Sequence, residues 1–167
     1  MTAAARAAAL LFVALAACSP APAELADSAD AALRAGNYGD ARSLAERGLD
    51  AAGHEADEPT RWTLNRVRLE ALAGTGEGAA VEEELDGLAA IFPMRIDSSL
   101  WVRLGRAALD GGHLAAAITL IEAGQARYPD EAGKFEQVLL DVQAAAEASH
   151  DDESLRRLSQ NPYLGRH

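Results

Sequence analysis

The chain has 167 residues, of which 49% are hydrophobic, enough apolar material for one domain with a buried core. Only 5% are aromatic, and the abundance of alanine and leucine favours helices over a β-sandwich or barrel. Fifteen basic residues against 26 acidic ones give a net charge of −11, which argues against binding of nucleic acid or anionic lipid by the folded body. The single cysteine leaves no intrachain disulfide and no multi-cysteine metal site.

Residues 1–17 are predicted to be a signal peptide and not part of the fold. Arg6 is the only charged residue in this segment, and the apolar run Ala7–Ala17 follows it. The run is shorter than the roughly 20 residues that a membrane-spanning helix requires. It therefore indicates a secretory signal.

The end of this run, Leu15-Ala16-Ala17-Cys18, resembles the lipobox of bacterial lipoproteins at all four positions. The resemblance implies cleavage before Cys18 and lipidation of its thiol. Residues 18–24 would then form a tether, and Ser19 favours the outer membrane, with the domain facing the periplasm. The alternative is a secreted protein in which Cys18 is incidental, cleaved at Ala14-Leu15-Ala16 or Ala21-Pro22-Ala23.

Hydrophobic periodicity and turn residues predict eight helices in the rest of the chain, and thus an all-α fold. Their expected positions are near 23–35, 38–52, 59–73, 77–91, 97–110, 114–127, 131–148 and 152–160.

The clearest motif lies in residues 98–131. Trp101, Leu104 and Ala108 share one helical face, and Gly105 and Ala117 are small where two helices would cross closely. Between the two helices lies Gly112, where a positive φ costs little, and Pro129 ends the second helix. This pattern resembles the tetratricopeptide repeat, a helix–turn–helix unit of 34 residues.

Weaker copies of the motif precede and follow this unit. Gly36-x-Tyr38-x-x-Ala41 marks a first copy, and Gly76-x-Gly78-x-x-Val81 marks a middle copy. Val81 stands where a small residue is usual, so the two middle helices are expected to lie further apart. Residues 25–167 are predicted to form a right-handed α-solenoid of about three repeats with a degenerate C-terminal helical cap. The units span approximately 22–55, 60–94, 98–131 and 132–165.

The resemblance implies a concave face, lined by the first helix of each pair, that holds a peptide or helix of a partner protein. The repeat register places seven residues on this predicted groove: Arg34, Arg66, Glu70, Val102, Arg106, Asp110 and Gln143. Its arginines suit the binding of a carboxylate or a peptide backbone. Alternatively, the arginines form only i,i+4 ion pairs on the surface: Asp30–Arg34, Arg66–Glu70 and Arg106–Asp110.

Candidate catalytic and metal motifs are weak throughout the chain. The glycine-rich stretch 74–78 has no following Lys-Ser or Lys-Thr pair, so it predicts a turn and not a phosphate-binding loop. His54 and His150 stand beside carboxylates but lack the spacing of a zinc helix or a calcium loop. We therefore expect no catalytic site, no metal site, no cofactor and no small-molecule substrate. A periplasmic hydrolase or metal-binding protein using His54 or His150 is the least favoured alternative.

The repeat and the lipobox together imply a lipid-anchored periplasmic adaptor. It would bind a segment of another envelope protein while an envelope complex is assembled or stabilised. The chain is similar in this respect to the pilotins of pilus and secretion channels and, more loosely, to accessory factors of outer-membrane protein assembly. The alternative is a structural subunit or spacer without an exchangeable ligand. A polar groove would favour the adaptor, and a large exposed apolar patch would favour the spacer.

Overall fold

A computed structural model describes residues 20–53 and 56–164, and all the regular structure in these two ranges is helical. Eight α helices follow one another: α1 (Pro22–Arg34), α2 (Tyr38–Ala52), α3 (Glu58–Gly74), α4 (Gly78–Ile91), α5 (Ser98–Asp110), α6 (Leu114–Arg127), α7 (Glu136–Ser149) and α8 (Asp152–Ser159). A 3-10 segment, Pro129–Phe135, connects α6 to α7. The predicted all-α class is confirmed, and most helix boundaries lie within one residue of those expected.

Several helices begin at a residue that satisfies the unpaired amides of the first turn. The carboxylates of Asp57 and Asp97 accept from the amides of Thr60 and Leu100, at 2.7 and 2.9 Å. Such N-caps compensate for backbone donors that have no partner within the helix. These side chains therefore fix where α3 and α5 begin.

Four turns of the same geometry join the helices into four hairpins. Each contains a residue of positive φ: Gly36 at 73°, Gly76 at 84°, Gly112 at 80° and His150 at 56°. In every case the residue that follows the positive-φ residue donates its amide hydrogen to the carbonyl of the residue five positions before it, at 2.9–3.0 Å. This hydrogen bond is typical of a Schellman-type helix ending. We call the side of the molecule that carries these turns the turn edge, and the opposite side the loop edge.

The first helices of the hairpins lie side by side, with α1 packed on α3 and α3 on α5. On the turn edge, the Tyr38 ring and Gly111 both lie against Gly74. On the loop edge, Arg95 pairs with Glu58 at 3.5 Å. The ends of successive hairpins therefore meet along both edges.

Polar side chains link successive units at separations between 32 residues, as in Tyr128–Ile96, and 41 residues, as in Arg127–Asp86. Six of these contacts span 35 or 36 residues: Arg66–Asp30, Arg42–Glu77, Lys134–Ser98, Arg106–Asp141, Arg157–Glu122 and Asn161–Gln125. The buried core forms an alanine-rich cluster among α1, α2 and α3 and a larger, leucine-rich cluster from α3 to α8.

The middle hairpin is more open than its neighbours, as expected from Val81. Helices α3 and α4 approach each other much less closely than α1 and α2 or α5 and α6. Val81 is fully buried, and so is Leu69, which occupies the matching position on α3. Larger side chains at the crossing keep these two helices apart.

One predicted helix boundary is wrong. The helix expected from residue 131 begins at Glu136, because Pro129 starts a 3-10 segment in which Glu131 departs from helical φ and ψ. Helix α1 begins at Pro22, within the segment 18–24 expected as a tether, and the Glu24 carboxylate accepts from the Ala21 amide.

Some predictions fall on residues that the structure does not describe. The signal segment 1–17, the lipidation site Cys18 and His54 all lie outside the described residues. Among the residues it does describe, none of the helices has the length and hydrophobicity needed to cross a membrane.

Candidate binding cleft

A cleft of about 550 Å³ lies between the first helices of the first three hairpins, towards their turn edge. Its lining combines apolar side chains with charged ones, and two of the charged residues, Arg66 and Glu70, are among the most buried. The lining residues are Asp30, Leu33, Arg34, Ala35, Gly36, Tyr38, Arg66, Glu70, Arg103, Arg106, Ala107 and Asp110. Helices α1, α3 and α5 supply most of the cleft because they pack directly on one another.

Arg66 lies at the centre of an ion-pair network in the cleft. Its two terminal nitrogens contact Asp30 of α1 at 2.5 Å and Glu70 of its own helix at 3.0 Å. The Arg66 side chain is only 17% exposed. Burial disfavours its charge, but the hydrogen bond to Asp30 and the charge of Glu70 outweigh that effect and raise the pKa of Arg66. Arg66 is therefore committed to joining α1 to α3.

The other arginines of the cleft are more accessible. Arg34 shares Asp30 with Arg66 and is largely exposed, and the half-exposed Arg103 contacts Glu70 through Nε at 3.4 Å. Each makes one ion pair among the described residues. Since a guanidinium has five N–H donors, both retain donors for a ligand.

Arg106 reaches away from its own helix to α7. Its terminal nitrogen lies 2.6 Å from the carboxylate of Asp141. This contact, together with a hydrogen bond from Gln137, holds the pKa of Asp141 below its ordinary value. Arg106 thus connects the cleft to the fourth hairpin.

Tyr38 and Asp110 form the acceptor-rich end of the cleft. Burial of the Tyr38 phenol raises its pKa, and the negative charges of Asp110 and Glu70 raise it further. Asp110 forms no ion pair with any described residue. This end of the cleft therefore keeps Tyr38 protonated and able to donate a hydrogen bond.

Five of the seven residues predicted to form the groove line this cleft: Arg34, Arg66, Glu70, Arg106 and Asp110. The other two do not. Val102 is half-buried and packs against the core, and Gln143 lines a separate hollow between α7 and α8. That the five residues bind a partner remains a prediction.

Sequence reasoning missed Arg103 and Tyr38. The repeat register placed Val102 on the groove, but α5 presents the next residue there, which corresponds to a rotation of about 100° about the helix axis. The sequence did contain an indication for Arg103: it lies three residues before Arg106, and residues at this spacing are neighbours on one side of a helix. For Tyr38, the indication was its place just after the turn glycine Gly36.

Two of the three surface ion pairs proposed as the alternative are present. Asp30 pairs with Arg34, and Arg66 pairs with Glu70. Arg106 does not pair with Asp110, because Asp141 lies within its reach on α7. The pairing alternative therefore accounts for Arg34 and Arg66 but not for Arg106, and Arg103 lies outside it.

The weak motifs have structural roles where they are described. Gly76 provides the positive φ of the second turn, and the His113 ring lies so close that a Cβ at Gly76 would approach it to 2.8 Å. His150 occupies the corresponding position of the fourth turn. Within residues 20–53 and 56–164, no cluster of three or more metal-ligating side chains is present.

No family model, no curated protein and no solved structure matches this chain.

Proposed function

We propose that this protein is a lipid-anchored periplasmic adaptor whose cleft binds an extended segment of another envelope protein. The observation that carries the proposal is the cleft between α1, α3 and α5, whose lining combines apolar side chains with arginines that are only partly paired. An extended peptide exposes backbone carbonyls at regular intervals. A cleft with donors in excess is suited to such a ligand.

The tetratricopeptide-like solenoid is part of this proposal. Four turns of the same geometry support it, and so do the six polar contacts between units that span 35 or 36 residues. Three hairpins would form the repeats, and α7 with α8 would form the degenerate cap. A concave face built by adjacent first helices is the usual binding surface of such arrays.

The anchor and the location rest on the likeness of Leu15-Ala16-Ala17-Cys18 to a lipobox. We infer that Cys18 carries the lipid and that the protein lies on the periplasmic face of the outer membrane. The acidic body would contribute little membrane affinity by itself, so the lipid would supply it.

Photo-crosslinking in cells tests the adaptor function. A photo-reactive residue replaces Arg103 in the full-length chain, and a matched protein carries it at Arg47, which is exposed on α2 and forms no ion pair among the described residues. We expect one dominant protein adduct from position 103 and none from position 47. Adducts from both positions, or from neither, would contradict the proposal.

A double variant that removes two positive charges supplies the second arm of this test. Arg34→Gln with Arg103→Gln removes the two accessible guanidiniums and leaves the Arg66 network intact. Photo-crosslinking from Ala35, which is exposed in the same cleft, should then fall by at least tenfold, because each charge-assisted hydrogen bond contributes roughly 1.5–3 kcal/mol. Arg47→Gln with Arg156→Gln makes the same charge change outside the cleft and should leave the adduct unchanged.

A structural subunit without an exchangeable ligand is the second candidate. Leu140 on α7 favours it, because its side chain is 45% exposed beside a hollow that Leu155 and Leu164 also line. An apolar face of this kind is typical of a permanent interface. Protein adducts from position 140 with none from position 103 would make this candidate the better one.

A further inference from the structure

Ile91 and Met94 present apolar side chains to solvent at the end of α4 and in the loop before α5. Ile91 is 61% exposed and Met94 is 92% exposed. Most large apolar side chains of the described chain are buried, so two exposed ones within four residues form a distinct feature. We call these two residues the apolar tip.

The apolar tip stands on a rigid base. Between its two residues Phe92 is buried, with its ring 5.5 Å from that of Trp62. After the tip, the carbonyl of Ile96 accepts from the Tyr128 hydroxyl at 2.7 Å. The loop is thus held in a conformation that keeps Ile91 and Met94 outside the core.

The apolar tip lies on the same edge of the molecule as the start of the described chain. Helices α1, α3 and α5 all begin at the loop edge, and the loop after α4 lies there too, where Arg95 reaches Glu58 at the start of α3. Cys18 precedes Pro22 by four residues, which span at most about 14 Å. A membrane holding a lipid on Cys18 would therefore face this edge.

Three carboxylates on the loop edge are engaged with neighbouring residues. Glu58 pairs with Arg95, the Asp97 side chain caps α5, and Glu131 binds Lys134 and Ser98. Paired or hydrogen-bonded carboxylates repel a membrane surface less than free ones do. The loop edge can thus approach a bilayer although the whole chain is acidic.

We propose that Ile91 and Met94 insert into the interfacial layer of the membrane that anchors Cys18. The inference rests on the lipid anchor of the proposed function and adds a second point of membrane contact. A tether gives the tip a high effective concentration at the bilayer, so two apolar side chains are sufficient. The helices would then stand upright on the membrane, and the cleft between α1, α3 and α5 would open sideways along its surface.

Photo-crosslinking to lipid tests this contact in the full-length chain, expressed in Gram-negative cells. A photo-reactive residue replaces Met94, and a control protein carries it at Ala115, which is exposed at the turn edge. Membrane flotation first establishes whether the chain is anchored, and mass spectrometry then identifies phospholipid adducts. We expect flotation of both proteins and a phospholipid adduct from position 94 alone.

A second variant keeps the outcome independent of the probe itself. With the photo-reactive residue at Pro93, replacement of Ile91→Gln and Met94→Gln should reduce the phospholipid adduct by about tenfold or more, because both apolar anchors are lost. Ala115→Gln introduces the same polar side chain at the turn edge and should leave the adduct unchanged.

The outcomes separate this inference from the proposed function. A chain that does not float with membranes would overturn the anchor and the insertion together. A floating chain with no lipid adduct at position 94 would overturn the insertion alone, and the adaptor proposal would stand. A protein adduct at position 94 would instead identify the tip as a protein-docking site and also overturn the insertion.

Discussion

The hairpins α1–α2 and α5–α6 are closely packed, whereas the hairpin α3–α4 between them is open. All three have the same turn, so the turn does not cause the difference. Counting from the turn glycine of each unit, three matching positions hold Ala29, Ala41 and Gly48 in the first hairpin and Gly105, Ala117 and Gly124 in the third. The middle hairpin has Leu69, Val81 and Leu88 at these positions.

Side-chain volume at the helix crossing therefore determines how closely each hairpin closes. In the third hairpin a Cβ at Gly124 would lie 2.6 Å from the Phe135 ring and 2.9 Å from the Trp101 Cβ. In the middle hairpin Leu88 fills the corresponding space, and α4 lies further out. The cleft is unaffected by this opening, because the first helices that form it pack on one another directly.

The largest expected effect comes from giving the third hairpin, at position 124, the leucine that the middle hairpin has at the matching position, Leu88. Gly124→Leu should destabilise the protein by about 4 kcal/mol, because neither Trp101 nor Phe135 can move away without disrupting the core. Urea unfolding followed by circular dichroism measures the change. Gly87→Leu is the matched control, since a Cβ at Gly87 on α4 meets nothing within 4 Å. A loss below about 1 kcal/mol at position 124 would show that crossing volume does not govern the packing.

The reverse substitution probes the open hairpin. Leu69→Ala makes one middle position resemble Ala29 of the first hairpin, and it removes a fully buried side chain. We expect a loss of about 3 kcal/mol in the free energy of unfolding, because Val81 and Leu88 still hold α4 away and a cavity remains. If the triple variant Leu69→Ala, Val81→Ala, Leu88→Gly loses no more stability than Leu69→Ala alone, the hairpin can close and a steric account is supported. A much larger, additive loss would argue against closure.

At the fourth turn we expect a smaller effect, and there the substitution should stabilise the protein. His150 adopts a φ of 56°, whereas the three other turns have glycine at this place. His150→Gly should raise the free energy of unfolding by up to about 1 kcal/mol, because relief of the left-handed strain exceeds the added entropy of the unfolded chain. His113→Gly, at an ordinary φ of −100°, is the control and should not stabilise. An unchanged urea midpoint for the first variant would contradict the strain argument.

The smallest effect concerns the start of α8. Hydrogen bonds from the Ser154 hydroxyl and amide lower the pKa of Asp151, whereas the residues preceding α2, α4 and α6 make no such side-chain cap. Because the pKa of Asp151 is lowered in the folded protein, its cap stabilises α8 fully at pH values above the pKa of the unfolded chain, about 3.9. This stabilisation is lost as the pH falls through the lower pKa of the folded state. Hydrogen exchange should show α8 losing protection as the pH falls below about 4. Asp151→Asn keeps the acceptor and should show a weaker pH dependence, and an equal dependence in both proteins would contradict the cap's role.

Local patterns in the chain predicted the helices and the turns well. Apolar periodicity marked the helices, and Gly36, Gly76 and Gly112 marked three turns because a positive φ is costly for other residues. The acidic stretch 151–153 marked the start of α8 because such residues stabilise a helix N-terminus. The open middle hairpin was also foreseeable, since Val81 stands where its neighbours have alanine.

The sequence by itself thus determined the helical class, the hairpin order and five of the residues that line the cleft, because these depend on local propensity and on spacing along one helix. Only the tertiary structure decided that Arg103 and not Val102 faces the cleft, since the rotation of α5 is set by packing on α3 and α6. It also decided that Arg106 pairs with Asp141 and that Arg66 is bound from both sides. These choices depend on distances between hairpins, which no periodicity within a single helix contains.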